Sequence, residues 1–354
     1  MTTKYLQQET EDPESILYSE SNDDEHQQRS LHRSYPPVKE VKAIANNRRA
    51  VTTVSEPLLI SSSMPLQEIG RILGNHSCPD ITQGLDLEKC STLPVRGGGF
   101  GDVYEGLLIS GQKVAIKSAR IFVSSREGFA QTTKSLAREL YSWSKCKHPN
   151  VLELYGLAYF NNQIATVSPW MDNGTLPQYI NQHAQSDVRN LCYQISGSVA
   201  YLHGMGVVHG DIKGANVLIA DDGTPKLADF GNTILRAYSL RFTGTLDEAS
   251  FSVRWTAPEL LSGATNVSIE ADIYALGMTI LEAFTGEVPF SDKSESAVLG
   301  DVMLRRKIPT RREAYFPSDD AQKETLWRLL ERCWDSRPRE RPSAKDVQDH
   351  LNSL

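Results

Sequence analysis

The run His-Gly-Asp-Ile-Lys-Gly-Ala-Asn at 209–216, followed by Asp-Phe-Gly at 229–231, constrains this 354-residue chain more than any other stretch. It puts a carboxylate, an ammonium and a carboxamide (Asp211, Lys213 and Asn216) on one short loop, and a second carboxylate, Asp229, shortly after. Amphipathic segments flank this polar stretch. Val188, Leu191, Cys192, Ile195, Val199 and Leu202 form one stripe at helical spacing. Ile273, Leu276, Ile280, Leu281 and Phe284 form another, and Leu326, Leu329, Leu330, Cys333 and Trp334 a third. Helices therefore dominate beyond Gly174.

Upstream the period changes. Residues 103–109 and 114–117 read as two strands around a turn at Gly111. Residues 130–147 carry Leu136, Leu140 and Trp143 at helical spacing, and 151–154 and 164–167 read as short strands. A small β-rich part thus precedes a larger helical part, an α+β arrangement without internal repeats. Residues 1–78 differ from both. They run from acidic (9–25) to basic (29–49), with too few aromatic and β-branched clusters to offset the entropy of ordering. A largely disordered extension is expected there, or a segment that orders on a partner, with one short amphipathic helix at 65–73.

Composition narrows the class. A net charge of −7 argues against nucleic acid as the main partner. Five dispersed cysteines with no Cys-x-x-Cys pair read as reduced thiols, not as a disulfide framework or a zinc site. The first residues have no apolar core for a signal peptide, Thr2 excludes the myristoylation pattern, and no run reaches the ~18 apolar residues of a membrane helix. The expectation is a cytoplasmic protein without a membrane span, with the nucleus open to it.

Phosphoryl transfer from ATP uses such a set of polar groups: one carboxylate to orient the attacking hydroxyl, and an asparagine with a second carboxylate to hold magnesium. Gly97, Gly98, Gly99 and Gly101 form a glycine-rich turn whose backbone can approach phosphates. A strand follows it, which opposes a dinucleotide-binding turn, and no Gly-Lys-Ser/Thr follows, which excludes a P-loop. Taken alone it is a weak signal, with a plain hairpin turn as the alternative. Lys117 ends the strand Val114-Ala115-Ile116 and can project beneath that turn, where Glu139 of the next helix can pair with it.

In this order the motifs resemble the protein-kinase signature set, over residues 85–354. Gly98, Gly99, Phe100, Gly101 and Val103 look like the phosphate-covering loop, and Val114 to Lys117 like the third-strand lysine motif. Glu139 takes the place of the helix glutamate, Asp211 that of the base, and Asn216 and Asp229 those of the magnesium ligands. Ala257-Pro258-Glu259 closes the activation segment, Asp272 matches the brace of the catalytic loop, and Arg341 the partner of Glu259. The resemblance implies a bilobal fold with an N-terminal extension (1–84), a small lobe (85–168), a hinge (169–173) and a large lobe (174–354). It implies ATP and Mg2+ as cofactors and a protein substrate. It places Ser168 at the gatekeeper position, makes Met171 the hinge donor to adenine, sets Val103, Ala115 and Leu218 around the base, and stacks Phe230, His209, Trp143 and Leu154 between the lobes.

Lys213, two residues after Asp211, and Ser252, five before Ala257, are similar to serine/threonine kinases. Val253-Arg-Trp-Thr-Ala-Pro-Glu259 and Cys333-Trp334 look tyrosine-kinase-like. The mixture resembles the tyrosine-kinase-like group, and the wording of 209–216 is similar to kinases of mushroom-forming fungi. Two positions depart from the pattern. Gly210 replaces the arginine that usually binds an activation-loop phosphate, which implies less dependence on that phosphate. Arg96 occupies the first glycine position. These two leave a second reading open, a catalytically impaired kinase-fold scaffold that binds nucleotide.

Overall fold

Strand pleat decides which residues of the small lobe meet the cleft. The computed structural model describes residues 58–61, 64–98, 101–118, 126–235, 240–242 and 252–354. It begins with β1 (Leu58–Ile60) and α1 (Leu66–Gly74). The small lobe then runs through β2 (Arg96–Gly98), β3 (Gly101–Leu107), β4 (Lys113–Ser118), α2 (Arg126–Ser144), β5 (Gly156–Phe160) and β6 (Gln163–Pro169). These strands make one antiparallel sheet in the order β2-β3-β4-β6-β5. Val114 and Ile116 bury one face against Ala158, Ala165 and Val167. The other face carries Ala115 and Lys117, because successive side chains alternate. Register extends that face across the sheet: Val103 opposes Lys117, Lys117 opposes Thr166, and Ala115 opposes Ser168.

The stretch 151–154 is not a strand of this sheet. Val151 makes an isolated bridge to Leu227, and Leu152 N–H donates to Leu227 O, so this segment ties the lobes together instead. The strand starts at Gly156, where the backbone of Pro79 lies so close that a Cβ would meet Pro79 O at 2.2 Å.

Residues 64–84, read from the sequence as part of the extension, pack on the small lobe. Ile69, Ile72 and Leu73 recur on one face of α1 and are buried in the main core. Leu157 N–H donates to Pro79 O, and Ile81 N–H donates to Leu157 O. The helix expected at 65–73 is present as α1. The remainder of the extension, 1–57 with 62 and 63, lies outside the described residues.

The large lobe comprises α3 (Leu176–Gln182), α4 (Val188–Gly204), β7 (Val207–Val208), β8 (Val217–Ile219), β9 (Pro225–Leu227), β10 (Ile234–Leu235), β11 (Leu240–Phe242), α5 (Pro258–Leu261), α6 (Ile269–Thr285), α7 (Glu295–Arg305), α8 (Ala321–Cys333) and α9 (Ala344–Ser353). The three stripes lie on α4, α6 and α8. Ser268 caps α6 by accepting from Ala271 N–H, and Gly286, at φ 69°, ends it in the left-handed conformation. From Ala271 to Ala283 every residue of α6 is buried, so it is the axis of the lobe. Two small antiparallel pairs, β7–β10 and β8–β9, frame the polar loop 209–216. β1 pairs in parallel with β11, Leu58 opposite Leu240 and Ile60 opposite Phe242. The result is the two-lobed α+β arrangement that the motifs imply. Among the described residues no helix is long and apolar enough to cross a membrane.

One buried ion pair ties α5 to the end of the lobe. Arg341 Nη1 and Nη2 donate to Glu259 Oε1 and Oε2 at 2.6 and 2.9 Å, and Nη1 also donates to Glu270 O at 2.8 Å. Truncating one partner leaves the other charge without compensation in the interior. Arg341→Met is expected to lower the unfolding free energy of the full chain by about 3–5 kcal/mol, read by urea denaturation followed by circular dichroism. A loss within experimental error of zero would contradict the role given to this pair.

Candidate active site

The loop at 209–216 is shaped by two carboxylates of α6. Asp272, almost fully buried, accepts from the backbone N–H groups of His209 and Gly210 at 2.8 and 2.9 Å, and His203 Nε2 lies 3.0 Å from it. Glu282 accepts from Gly214 N–H at 2.9 Å and from Trp255 Nε1 at 3.0 Å. Glycine stands at both backbone positions, and neither has room for a Cβ in this arrangement. Gly210 sits at φ 83°, and a Cβ there would meet Asn232 O at 2.7 Å. A Cβ on Gly214 would lie 2.7 Å from Glu282 Oε2.

So held, the loop aims Asp211 and fixes both of its oxygens. Oδ2 accepts from Lys213 Nζ at 2.7 Å and from Asn216 Nδ2 at 2.8 Å, and Oδ1 accepts from Ser252 Oγ at 3.0 Å. Lys213 Nζ also donates to Ser252 Oγ at 2.8 Å. Asn216 Nδ2 donates in addition to Asp211 O, so the nitrogen of that carboxamide faces Asp211 and Oδ1 is its accepting atom.

Across the cleft, Lys117 Nζ donates to Glu139 Oε1 at 3.1 Å and to Asp229 Oδ1 at 2.8 Å. Burial works against the ammonium, but Glu139 and Asp229 outweigh it and hold its pKa above the ordinary lysine value. Burial pushes Glu139 up in spite of Lys117, with the charge of Asp229 adding to the rise. Asp229 is buried too, yet Lys117 outweighs burial and holds it below the usual carboxylate range. Behind this triad, the rings of Trp143 and Phe230 stack at 5.6 Å and 9°, and His209 meets Phe230 at 5.3 Å. Trp143 Nε1 donates to Leu152 O at 2.6 Å, which anchors α2 to the tie between the lobes. Leu154 is half-buried against the same core.

These groups border a cleft of about 540 Å³ between the lobes. Gly101, Val103, Ala115, Lys117 and Glu139 line it from the small lobe, Ser168 to Met171 from the connection, and Lys213, Asn216, Leu218, Asp229 and Ser252 from the large lobe. Asp211 lies beneath, joined to the cleft by Lys213, Asn216 and Ser252. Gly98 pairs with Gly101 at the end of β2, Arg96 and Gly97 line the mouth, and Gly99 and Phe100 lie outside the described residues. In the connection, Pro169 has no N–H and Trp170 N–H donates to Lys113 O at 3.3 Å. Met171 N–H makes no hydrogen bond among the described residues.

The donor set suits a hard cation. Asp229 and the Asn216 carboxamide both offer oxygen to the cleft, and among the described residues there is no cluster of three or more His, Cys, Asp or Glu that would form a closed cage. Magnesium is bound in this way, by one or two protein oxygens with phosphates and water completing its shell. The five cysteines are all free and buried. Burial pushes the thiols of Cys78 and Cys146 up to about 12, far from reactivity.

Sequence reading did not single out Thr166, Thr175 or Glu282. Thr166 was signalled by its place two residues before Ser168 on one strand face. Glu282 was signalled by being the one acid in the apolar run 275–284.

The family model described as a protein kinase domain matches residues 95–351. Mitogen-activated protein kinase kinase kinase 5 of Arabidopsis thaliana is 31% identical over 266 residues, 72% of this chain and 35% of that protein. A probable cell division protein kinase of Encephalitozoon cuniculi is 30% identical over 262 residues, 73% of this chain and 95% of that protein. Mitogen-activated protein kinase kinase kinase YODA of Arabidopsis thaliana is 26% identical over 309 residues, 83% of this chain and 33% of that protein. The matched segment is thus about a third of the two Arabidopsis proteins and nearly all of the third relative.

Burial raises the pKa of Glu282 to about 7, with Gly214 N–H, Trp255 Nε1 and Lys213 opposing it. The folded chain therefore holds a proton there that the unfolded chain, titrating near 4.5, releases. This contribution is complete below about pH 4.5, is lost as pH rises through about 7, and amounts to about 3 kcal/mol. The melting temperature of the unmodified chain should fall relative to that of Glu282→Gln between about pH 5 and pH 8. Parallel pH profiles for the two proteins, measured by calorimetry, would show that Glu282 is not protonated in the fold.

Proposed function

The chain belongs to the protein kinase family, and on that premise we propose that it transfers the γ-phosphate of ATP to serine and threonine hydroxyls of protein substrates. We place it in the tyrosine-kinase-like group, with a role in cytoplasmic signalling and kin among mushroom-forming fungi. The observation that carries the activity is the fixed carboxylate of Asp211, bonded at both oxygens and facing the Lys117–Glu139–Asp229 triad across one cleft.

Asp211 accepts a hydrogen bond from the substrate hydroxyl and aims its oxygen along the line of attack. As that oxygen bonds to the γ-phosphorus, the bond from phosphorus to the β-phosphate oxygen breaks, ADP leaves, and the hydroxyl proton passes to the Asp211 carboxylate. Lys213, 2.7 Å from Asp211 Oδ2, holds a positive charge beside the path of the transferring group. Lys117 binds the phosphates from the small lobe, and Glu139 holds it there. Asn216 Oδ1 and Asp229 would hold magnesium, which neutralises charge on the phosphates when bound. Met171 N–H is the donor offered to the adenine edge, and Val103, Ala115 and Leu218 are its apolar neighbours. Catalysis on this reading is positioning and electrostatics in a partly dry cleft.

The contact between Lys213 and Ser252 supports serine and threonine as acceptors, since it builds the large-lobe side of the site from the pair of residues similar to those kinases. The stretch 253–259, which combines Trp255 with Ala257-Pro258-Glu259, supports the group assignment.

Ser168 is buried beside Ala115 and leaves space behind the base. Bulky N6-substituted ATP analogues are therefore expected to compete with ATP, a result checked by inhibition of phosphate transfer; a lack of competition by any of them would remove the gatekeeper assignment. In the purified full chain with Mg-ATP and a generic protein substrate, Asp211→Asn should cut incorporation on serine and threonine by about a thousandfold. If neither protein incorporates phosphate while Mg-ATP still raises the melting temperature, the fold serves as a nucleotide-binding scaffold instead.

A further inference from the structure

The place of Glu139 depends on the place of α2. One side of that helix faces the cleft and the sheet. The opposite side is covered by this chain's own upstream segment. Ile69, Ile72 and Leu73 of α1 are buried in the same core as Leu136, Ala137, Leu140 and Tyr141 of α2. The first and third of those α2 residues flank Glu139 at three residues before and one after. Beyond α1 the contact continues through polar groups. His76 O accepts from Lys145 Nζ at 2.7 Å and from Ser144 Oγ at 3.4 Å, and the His76 ring meets that of Tyr141 at 6.0 Å.

The fit is close on the other side as well. Tyr159 Oη donates to Leu66 O at 3.2 Å, and a methyl group added at Gly70 would lie 2.3 Å from that hydroxyl. α1 is thus wedged between α2 and β5. A nine-residue helix is marginal in water by itself, so its order and the position of α2 depend on each other. The same stretch starts as β1, paired through its backbone with β11 in the segment between Asp229 and Glu259. The upstream stretch thus meets α2 through α1 and the segment between Asp229 and Glu259 through β1.

We propose that α1 is a positioning element of the active site, a brace carried in the same chain that holds α2 where Glu139 meets Lys117. The catalytic part of this statement rests on the kinase reading; the mechanical part does not. Without the brace, the apolar back of α2 faces water, and the helix gains by moving away from the sheet, which separates Glu139 from Lys117. Ile72, on the buried face of α1 and remote from the cleft, acts on turnover only through this link.

The test uses the full chain with Ile72→Asp, Ile72→Val and Lys145→Met, each also in a Glu139→Gln background. Hydrogen–deuterium exchange of the amides at 134–144 is measured beside steady-state kinetics for ATP. Ile72→Asp should speed α2 exchange by about tenfold with that of α6 unchanged, and should lower kcat by about tenfold with KM shifted by less than about threefold. Ile72→Val should retain kcat within about twofold, and Ile72→Asp should add little loss where Glu139 is already replaced. If Ile72→Asp also speeds exchange in α6, the chain has unfolded broadly, and Lys145→Met decides, with a loss in kcat of about threefold expected. Unchanged α2 exchange in folded variants, or a full additional loss in the Glu139→Gln background, would overturn the proposal. Should the unmodified chain show no turnover, the kinase reading has failed, and the exchange arm alone decides whether α1 braces α2.

Discussion

One ammonium group holds the two lobes in register. Lys117 Nζ is shared by Glu139 from α2 and Asp229 from the turn after β9, so three separate elements converge on a single charge. Taking these groups out of water is costly, and their mutual attraction offsets that cost only while the geometry is kept. The pleat of β4, the rotation of α2 and the left-handed backbone of Asp229, at φ 67°, all serve that geometry. Two carboxylates face one cation, so the set carries a surplus of negative charge. That surplus falls where the cleft offers oxygen ligands, and it favours a bound cation there.

The opposite wall is organised by a different device. Asp272 and Glu282 project from the buried helix α6 and take up backbone N–H groups at the two ends of the loop 209–216. A loop that carries functional side chains exposes backbone donors that the interior would otherwise leave unpaired. Here two acids accept them; the absent side chain of Gly214 lets Glu282 approach, and that of Gly210 leaves room for Asn232 O. The cost of burying Glu282 shows in its proton affinity.

The polar loop was legible in the sequence because its residue types and order serve one chemistry and have few other uses. Lys117 was legible for the same reason, helped by the strand period that aims it at the cleft. The strand at 156–160 was less so. The apolar run 151–154 has a similar local pattern, and what marks the start of the sheet strand is the backbone of Pro79 lying against Gly156. Such a contact spans most of the small lobe and has no local trace. α1 shows a related difficulty. Its helical period is visible, but its burial comes from α2 and β5, and the contact of Leu66 with Tyr159 spans 93 residues of chain. Glu282 was hidden because an acid in an apolar stripe suggests a partner without saying which backbone N–H it will be.

The state of the cysteines has a practical side. All five thiols are free and buried, on both lobes, so none of them competes for a reagent in the folded chain. A single cysteine placed on the outer surface of α1 or at the end of α7 would be the one thiol open to a dye or a spin label, with no background substitutions needed. The native chain is in that sense already prepared for site-specific labelling, and a pair of such cysteines, one on each lobe, would open the distance between the lobes to direct spectroscopy.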